Sequence, residues 1–74
     1  MMEFKHLDDK TLEIAGIAAS VAAGCQPCLK YHFRKALEVG CTHEEAAEAV
    51  ELGKMIKLSP EKEIFKLADK LLGK

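Results

Sequence analysis

Two cysteines and a histidine at short spacing are the residues best suited to chemistry in this 74-residue chain. Cys25 and Cys28 are separated by two residues, and His32 follows Cys28 at a spacing of four. Pro27 suits the first turn of a helix, because its φ is already helical and its missing N–H would be unpaired there. The start of such a helix favours a thiolate, and His32 stands one turn beyond Cys28 as a base. The pattern therefore predicts redox chemistry of a dithiol.

The same side chains allow two other interpretations. The two cysteines could be buried residues that only fill space, or they could belong to a zinc site. The C-x-x-C spacing disfavours the first. Zinc would take the two thiols and the imidazole as three ligands, with Cys41 or His43 as the fourth, but the spacings typical of structural zinc sites are missing. Cys41 also lies about 18 Å farther along the predicted helix. We therefore expect no metal and no cofactor, and Cys41 is expected to be a small buried residue.

Glu13 is the second chemical signal, because it interrupts a helix that is otherwise apolar. Only Glu13 and Ser20 are polar between residues 12 and 23. A carboxylate is costly to bury unless it is paired or protonated, so in one interpretation Glu13 faces solvent or pairs with a lysine. In the functional interpretation it holds and polarises His32, so that the imidazole can accept a thiol proton.

The spacing of Glu13 and His32 along the chain sets a condition on that contact. In a plain antiparallel hairpin, Glu13 lies about 16 Å before the turn and His32 about 8 Å after it. We therefore expect contact only through a steep crossing angle, an early end of the first helix, or a partner subunit.

Helices must position these groups, because apolar residues recur at helical spacing and no segment alternates as a strand would. We predict an all-α, four-helix domain over residues 1–74. The first helix is apolar on nearly every side and is expected to be buried on nearly every side. The predicted elements are a first helix from Asp8 or Asp9 to Gly24, a second over residues 27–39, a third capped by Thr42 and Glu45 and ending near Ile56, and a fourth opened by Ser59 and Pro60.

The fourth predicted helix is amphipathic and carries no group suited to chemistry. We expect its apolar face to cover the core or a neighbouring subunit. That inner face consists of Ile64, Phe65, Ala68, Leu71 and Leu72.

Composition limits the partners and the environment of the chain. Hydrophobic residues make up 49% of the sequence, yet the chain has no Trp and only one Tyr and three Phe, so Ala, Leu, Ile and Val must form the core. A domain of this size is marginal alone, which favours a homo-oligomer. The net charge of −1 comes from mixed charges, which argues against a nucleic acid or membrane partner. The first six residues do not have the pattern of a signal peptide, and we expect a cytoplasmic protein, where a C-x-x-C is more often catalytic or metal-binding than structural.

Taken together, these motifs resemble the alkyl hydroperoxidase D-like branch of the carboxymuconolactone decarboxylase family. The resemblance runs from about residue 12 to about residue 50, which is over half of the chain. It rests on Glu13, the run Cys25-x-x-Cys28-x-x-x-His32, the run Arg34-x-Ala36-Leu37-x-x-Gly40 and the run Thr42-x-Glu44-Glu45.

The resemblance implies an all-helical fold, obligate trimers or hexamers, and thiol-dependent reduction of peroxides. It also implies that Cys28 attacks the peroxide and becomes a sulfenic acid, which Cys25 resolves as a disulfide. Glu13, His32 and a water would relay the proton. The residues themselves leave the opposite order of the cysteines open, because the first cysteine of a C-x-x-C is the more reactive one in other proteins.

We therefore predict an oxidoreductase that acts on a hydroperoxide or a disulfide and is recycled by a free or protein-bound thiol or dithiol. Members of the branch can carry a histidine between the cysteines, where this chain has Pro27, so one proton carrier is absent. Decarboxylase members lack the thiol pair, which disfavours lactone decarboxylation. Two alternatives stay open, namely a non-catalytic redox sensor or interaction module and a zinc-binding domain.

Overall fold

The computed structural model of the chain describes residues 4–58 and 63–74. Within those residues the secondary structure is helical and no strand is formed, so the predicted all-α class is confirmed. None of the described helices is long and apolar enough to cross a membrane. The helices are α1 (Asp9–Ala23), α2 (Gln26–Glu38), α3 (His43–Lys57) and α4 (Ile64–Leu71).

Side-chain caps set the starts of α1 and α3, as the sequence predicts. The carboxylate of Asp8 accepts a 2.8 Å hydrogen bond from the backbone N–H of Thr11, and this bond lowers the pKa of Asp8. At α3 the Thr42 hydroxyl accepts from the N–H of Glu45 at 3.0 Å. The Glu45 carboxylate in turn accepts from the N–H of Thr42 at 2.8 Å, which completes the capping box and lowers the pKa of Glu45.

Helix α1 is the central element, because both α2 and α3 pack against it. Ile17 of α1 is the largest side chain that is fully buried among the described residues. Gly53 lets α3 approach closely, since a Cβ at that position would lie 2.5 Å from the carbonyl oxygen of Ala18. The rest of the buried apolar core is made of the small residues Ala18, Ala36, Cys41, Ala46 and Ala49.

The expectation that α1 is buried on nearly every side is wrong for the single chain. Ala15, Ala19 and Ala23 are exposed, because α2 and α3 leave one face of α1 open and α4 does not cover it. A pattern of small apolar residues specifies that a helix can be covered closely, but not how many neighbours one chain provides.

Helix α4 does not cover the core of its own chain. Within the described residues it packs against none of α1, α2 and α3, and every residue of its predicted inner face is exposed. Phe65, for example, keeps 84% of its surface accessible. Of the two expectations for this face, only the neighbouring subunit remains. The predicted opening of the helix at Ser59 and Pro60 lies outside the described residues.

Candidate redox site

A disulfide joins Cys25 and Cys28 at the turn between α1 and α2. Their Cα atoms are 5.3 Å apart, within the range in which disulfides form without backbone movement. Cys25 is half-buried, whereas Cys28 is exposed. The more accessible side of the bond is therefore Cys28.

The short connection between α1 and α2 explains why both sulfurs lie at one helix start. Gly24 ends α1 in the left-handed conformation, with φ at 71°. The N–H of Cys25 still donates to the carbonyl of Ser20 at 3.0 Å, so the chain reverses with almost no intervening residues. Cys25 then caps α2, and its Sγ accepts the backbone N–H of Cys28 at 3.3 Å. Pro27 occupies the first turn, as its fixed φ predicts.

Glu13 and His32 are in direct contact inside the same chain. The Nδ1 atom of His32 lies 2.7 Å from Oε1 of Glu13. Glu13 is only 7% exposed, so the alternative in which it faces solvent is wrong. We assign the proton to Nδ1, because a carboxylate is an acceptor. In the neutral ring this leaves Nε2 with the lone pair, and Nε2 is then the atom that can take up a proton.

The contact between these two residues does not need a partner subunit or an early end of α1, since α1 continues to Ala23. The position of Gly16 shows how α1 and α2 are aligned. Gly16 lies eight residues before Gly24, and His32 lies seven residues after Cys25. Both are therefore about 11 Å from the turn and face each other. Glu13 stands one turn away from Gly16, an offset that its side chain spans.

Gly16 also makes room for the imidazole. A Cβ at Gly16 would lie 2.5 Å from Nδ1 of His32 and 2.7 Å from its Cγ, distances that real side chains do not show. The ring of His32 therefore lies directly against the backbone of α1. A glycine inside a helix is unfavourable compared with alanine, and this was the available sequence signal for a close approach.

The remaining polar residues near the turn have local roles. The hydroxyl of Ser20 is buried and donates to the carbonyl of Gly16 at 2.6 Å, which satisfies it within α1. Tyr31 meets the ring of His32 edge-on, with 5.1 Å between ring centroids.

Cys41 is separate from the redox pair. It is buried, as expected, and its Sγ lies 3.8 Å from the carbonyl oxygen of Lys10. Lys10 is at the opposite end of α1, about 20 Å from the turn that holds the disulfide. Burial raises the pKa of the Cys41 thiol, which keeps it protonated and unreactive. Within residues 4–58 and 63–74, no three Cys, His, Asp or Glu side chains are placed to hold a metal ion.

The arrangement can store and release two electrons next to a base. The disulfide lies one helical turn from His32, whose orientation Glu13 and Gly16 fix. The structure thus pairs Cys25 with Cys28 and Glu13 with His32, and Cys28 and His32 stand one turn apart on α2.

Comparison with known protein families gives an independent result. The family model described as the carboxymuconolactone decarboxylase family matches residues 2–69. No curated protein and no solved structure matches the chain.

Proposed function

Because the chain belongs to the carboxymuconolactone decarboxylase family, which includes decarboxylases and peroxidase-like enzymes, we propose that it is a thiol-dependent oxidoreductase of the peroxide-reducing kind. The observation that carries the proposal is a disulfide one helical turn from an imidazole that a buried carboxylate orients. A dithiol is the chemistry that the decarboxylase members lack.

In the proposed reaction the Cys28 thiolate attacks the terminal oxygen of a hydroperoxide. The O–O bond breaks, the alcohol leaves with a proton, and Cys28 becomes a sulfenic acid. The Cys25 thiolate then attacks the Cys28 sulfur, the disulfide forms and water leaves. The dithiol thus supplies the two electrons that reduce the peroxide. His32 takes the thiol proton at Nε2 and returns it to the leaving oxygen, while Glu13 stabilises the protonated ring.

The exposure of the two cysteines supports this order. Cys28 is open to solvent and stands on the same face of α2 as His32, while Cys25 is half-buried beside it. The attacking sulfur must meet the peroxide, whereas the resolving sulfur needs to meet only Cys28. The cap at the start of α2 stabilises the Cys25 thiolate, which prepares it for that second step.

The partners of the proposed enzyme follow from the same cycle. It needs a hydroperoxide or disulfide substrate and a thiol or dithiol that reopens the disulfide. We further propose a homo-oligomer, either a trimer or a hexamer, that acts in the cytoplasm. The exposed apolar face of α4 supports the oligomer.

Titration of the free thiols before and after a single dose of peroxide tests the proposal. Reduced wild-type protein should lose two of its three thiols for each peroxide consumed, and Cys41→Ser should lose both of its two thiols. Cys25→Ser should lose one thiol and retain a sulfenic acid that a dimedone probe traps. Cys28→Ser should react at least tenfold more slowly, as a variant without its attacking thiolate. Normal turnover in Cys28→Ser would refute the assignment.

A redox sensor is the second candidate, and the exposed face of α4 favours it as well. In that case the disulfide would alter an assembly rather than reduce a substrate. Sedimentation of the reduced and the oxidised protein, next to a peroxidase assay, separates the two functions. A change in subunit number without turnover would indicate the sensor.

A further inference from the structure

The segment that carries the disulfide is free of acidic residues. Residues 14–37 contain no Asp or Glu but include three cations, although the whole chain has a net charge of −1. Arg34 and Lys35 are paired with Glu38 at 3.9 and 3.7 Å. Lys30, two residues after Cys28, is exposed and forms no ion pair with any described residue.

Helix α3 adds a second unpaired cation from a distant part of the sequence. A Cβ built on Gly24 would lie 3.2 Å from Nζ of Lys57, so this ammonium lies beside the residue that precedes Cys25. Since adjacent Cα atoms are about 3.8 Å apart, the ammonium is within about 9 Å of the Cα of Cys25. Lys57 likewise has no ion-pair partner in the described part of the chain. The carboxylate of Glu13, farther along α1, is buried and hydrogen-bonded to His32.

We propose that Lys30 and Lys57 select small anionic thiols as the reductant of this disulfide. Such a thiol carries a carboxylate, sulfonate or phosphate in addition to its sulfur. The inference rests on the proposed function, because it concerns the step that returns the enzyme to its dithiol form.

The exchange uses the asymmetry of the two sulfurs. The thiolate of the reductant attacks Sγ of the exposed Cys28, the S–S bond breaks, and Cys25 leaves as a thiolate that keeps the hydrogen bond from the Cys28 N–H. A second reductant thiolate attacks the reductant sulfur of the mixed disulfide, and Cys28 leaves as a thiolate. Two reductant thiolates thus give up two electrons and become one disulfide, and solvent supplies protons to the two cysteines.

The expected size of the selection follows from Coulomb's law. At about 8 Å in water, one ammonium raises the rate of attack on the disulfide about two- to threefold for each additional negative charge that the thiol carries. Two lysines together should give about fivefold. The selection should weaken with salt, because the Debye length shrinks to about 3 Å in 1 M salt.

Three thiols of similar size and different charge test the inference on the oxidised protein. The thiolate forms of 2-mercaptoethanesulfonate, 2-mercaptoethanol and cysteamine carry two, one and no net negative charges. Rate constants are expressed per thiolate and corrected for the nucleophilicity that each thiol shows toward an uncharged model disulfide. We expect the sulfonate to react fastest and cysteamine slowest. At low salt the rates of two thiols that differ by one charge should differ about fivefold, and in about 1 M salt all three rates should be nearly equal.

Charge-neutral variants locate the effect. Lys30→Gln and Lys57→Gln should each lower the preference for the sulfonate about two- to threefold, and the double variant should remove it. Lys10→Gln is the matched control, because it removes the same charge at the far end of α1 and should leave the preference unchanged. Equal corrected rates for the three thiols, or an undiminished preference in the double variant, would overturn the inference alone. A disulfide that none of the thiols reduces would overturn the proposed function as well.

Discussion

Burial of the Glu13 carboxylate is unfavourable for folding, and its contact with His32 gives this residue a role in the site. Taking a carboxylate out of water is unfavourable even when it is paired, and a well-packed apolar residue would often be as stable there. Glu13 is buried in the middle of α1 and holds Nδ1 of His32 at 2.7 Å. A carboxylate that contributes little to folding but fixes the base of a dithiol is what the proposed reaction requires.

We expect Glu13→Gln to separate catalysis from stability. The amide oxygen can still accept from Nδ1, so the free energy of unfolding should change by about 1 kcal/mol or less. The rate of peroxide reduction should fall about 10- to 100-fold, because a neutral amide does not stabilise the imidazolium. Stopped-flow oxidation and urea unfolding of the same samples measure the two quantities.

Ser20→Ala is the matched control, since Ser20 is the other buried polar residue of α1. It loses a hydrogen bond within α1, so it should lower stability by about 1 kcal/mol and leave the rate unchanged. Equal rates in Glu13→Gln and wild type would remove the relay from the mechanism.

Among the helices, two interior glycines decide how closely α1 is approached. Gly16 accepts the ring of His32 from α2, and Gly53 of α3 packs against the carbonyl of Ala18. Added methyl groups would collide at both sites, at 2.5 Å in each case. Only the collision at Gly16 involves the redox site, so the pair forms a natural comparison.

We expect Gly16→Ala to displace His32 and Gly53→Ala to leave it in place. Both should lower stability by about 1–3 kcal/mol through overpacking, which exceeds the helix propensity that alanine adds. Only Gly16→Ala should lose the nitrogen chemical shifts of a ring protonated at Nδ1. Only this variant should show a rate of peroxide reduction that is lower by about tenfold or more. Long-range ¹H–¹⁵N NMR of the His32 ring gives the first readout. Unchanged ring shifts in Gly16→Ala would contradict the assignment.

The parts of this structure that local chemistry controls could be predicted from sequence. The caps at Asp8 and Thr42, the stop at Gly24 and the pairing of the cysteines depend on neighbours within a few residues. The register of α1 against α2 depends on packing, so the sequence could state only conditions for the contact between Glu13 and His32. Two of those conditions, an early end of α1 and a partner subunit, are not needed. The position of Lys57 beside Gly24 could not be predicted, because it depends on how α3 lies along α1.

At the scale of the whole molecule, residues 4–58 and 63–74 expose more large apolar side chains than they bury. Ile17 is the only large side chain that is fully buried among the described residues. A core of this kind is small for a stable monomer. The exposed large apolar residues of α3 and α4 are Leu52, Met55, Ile56, Ile64, Phe65, Leu67 and Leu71, all at least 48% accessible.

We expect Phe65→Glu to dissociate an assembly of this chain. Burying a phenylalanine in an interface contributes about 1.5–3 kcal/mol, and a carboxylate at the same place would oppose association further, so the dissociation constant should rise at least about tenfold. Sedimentation equilibrium over a range of concentrations measures it, and the melting temperature of the wild type should rise with concentration.

Lys66→Glu is the control, because Lys66 is 85% exposed at its side chain and sits beside Phe65 on the polar side of α4. If the wild type sediments as a monomer with a melting temperature independent of concentration, the face of α4 does not join copies of this chain. If it assembles and Phe65→Glu assembles equally well, the interface lies elsewhere, and the open alanine face of α1 becomes the surface to test.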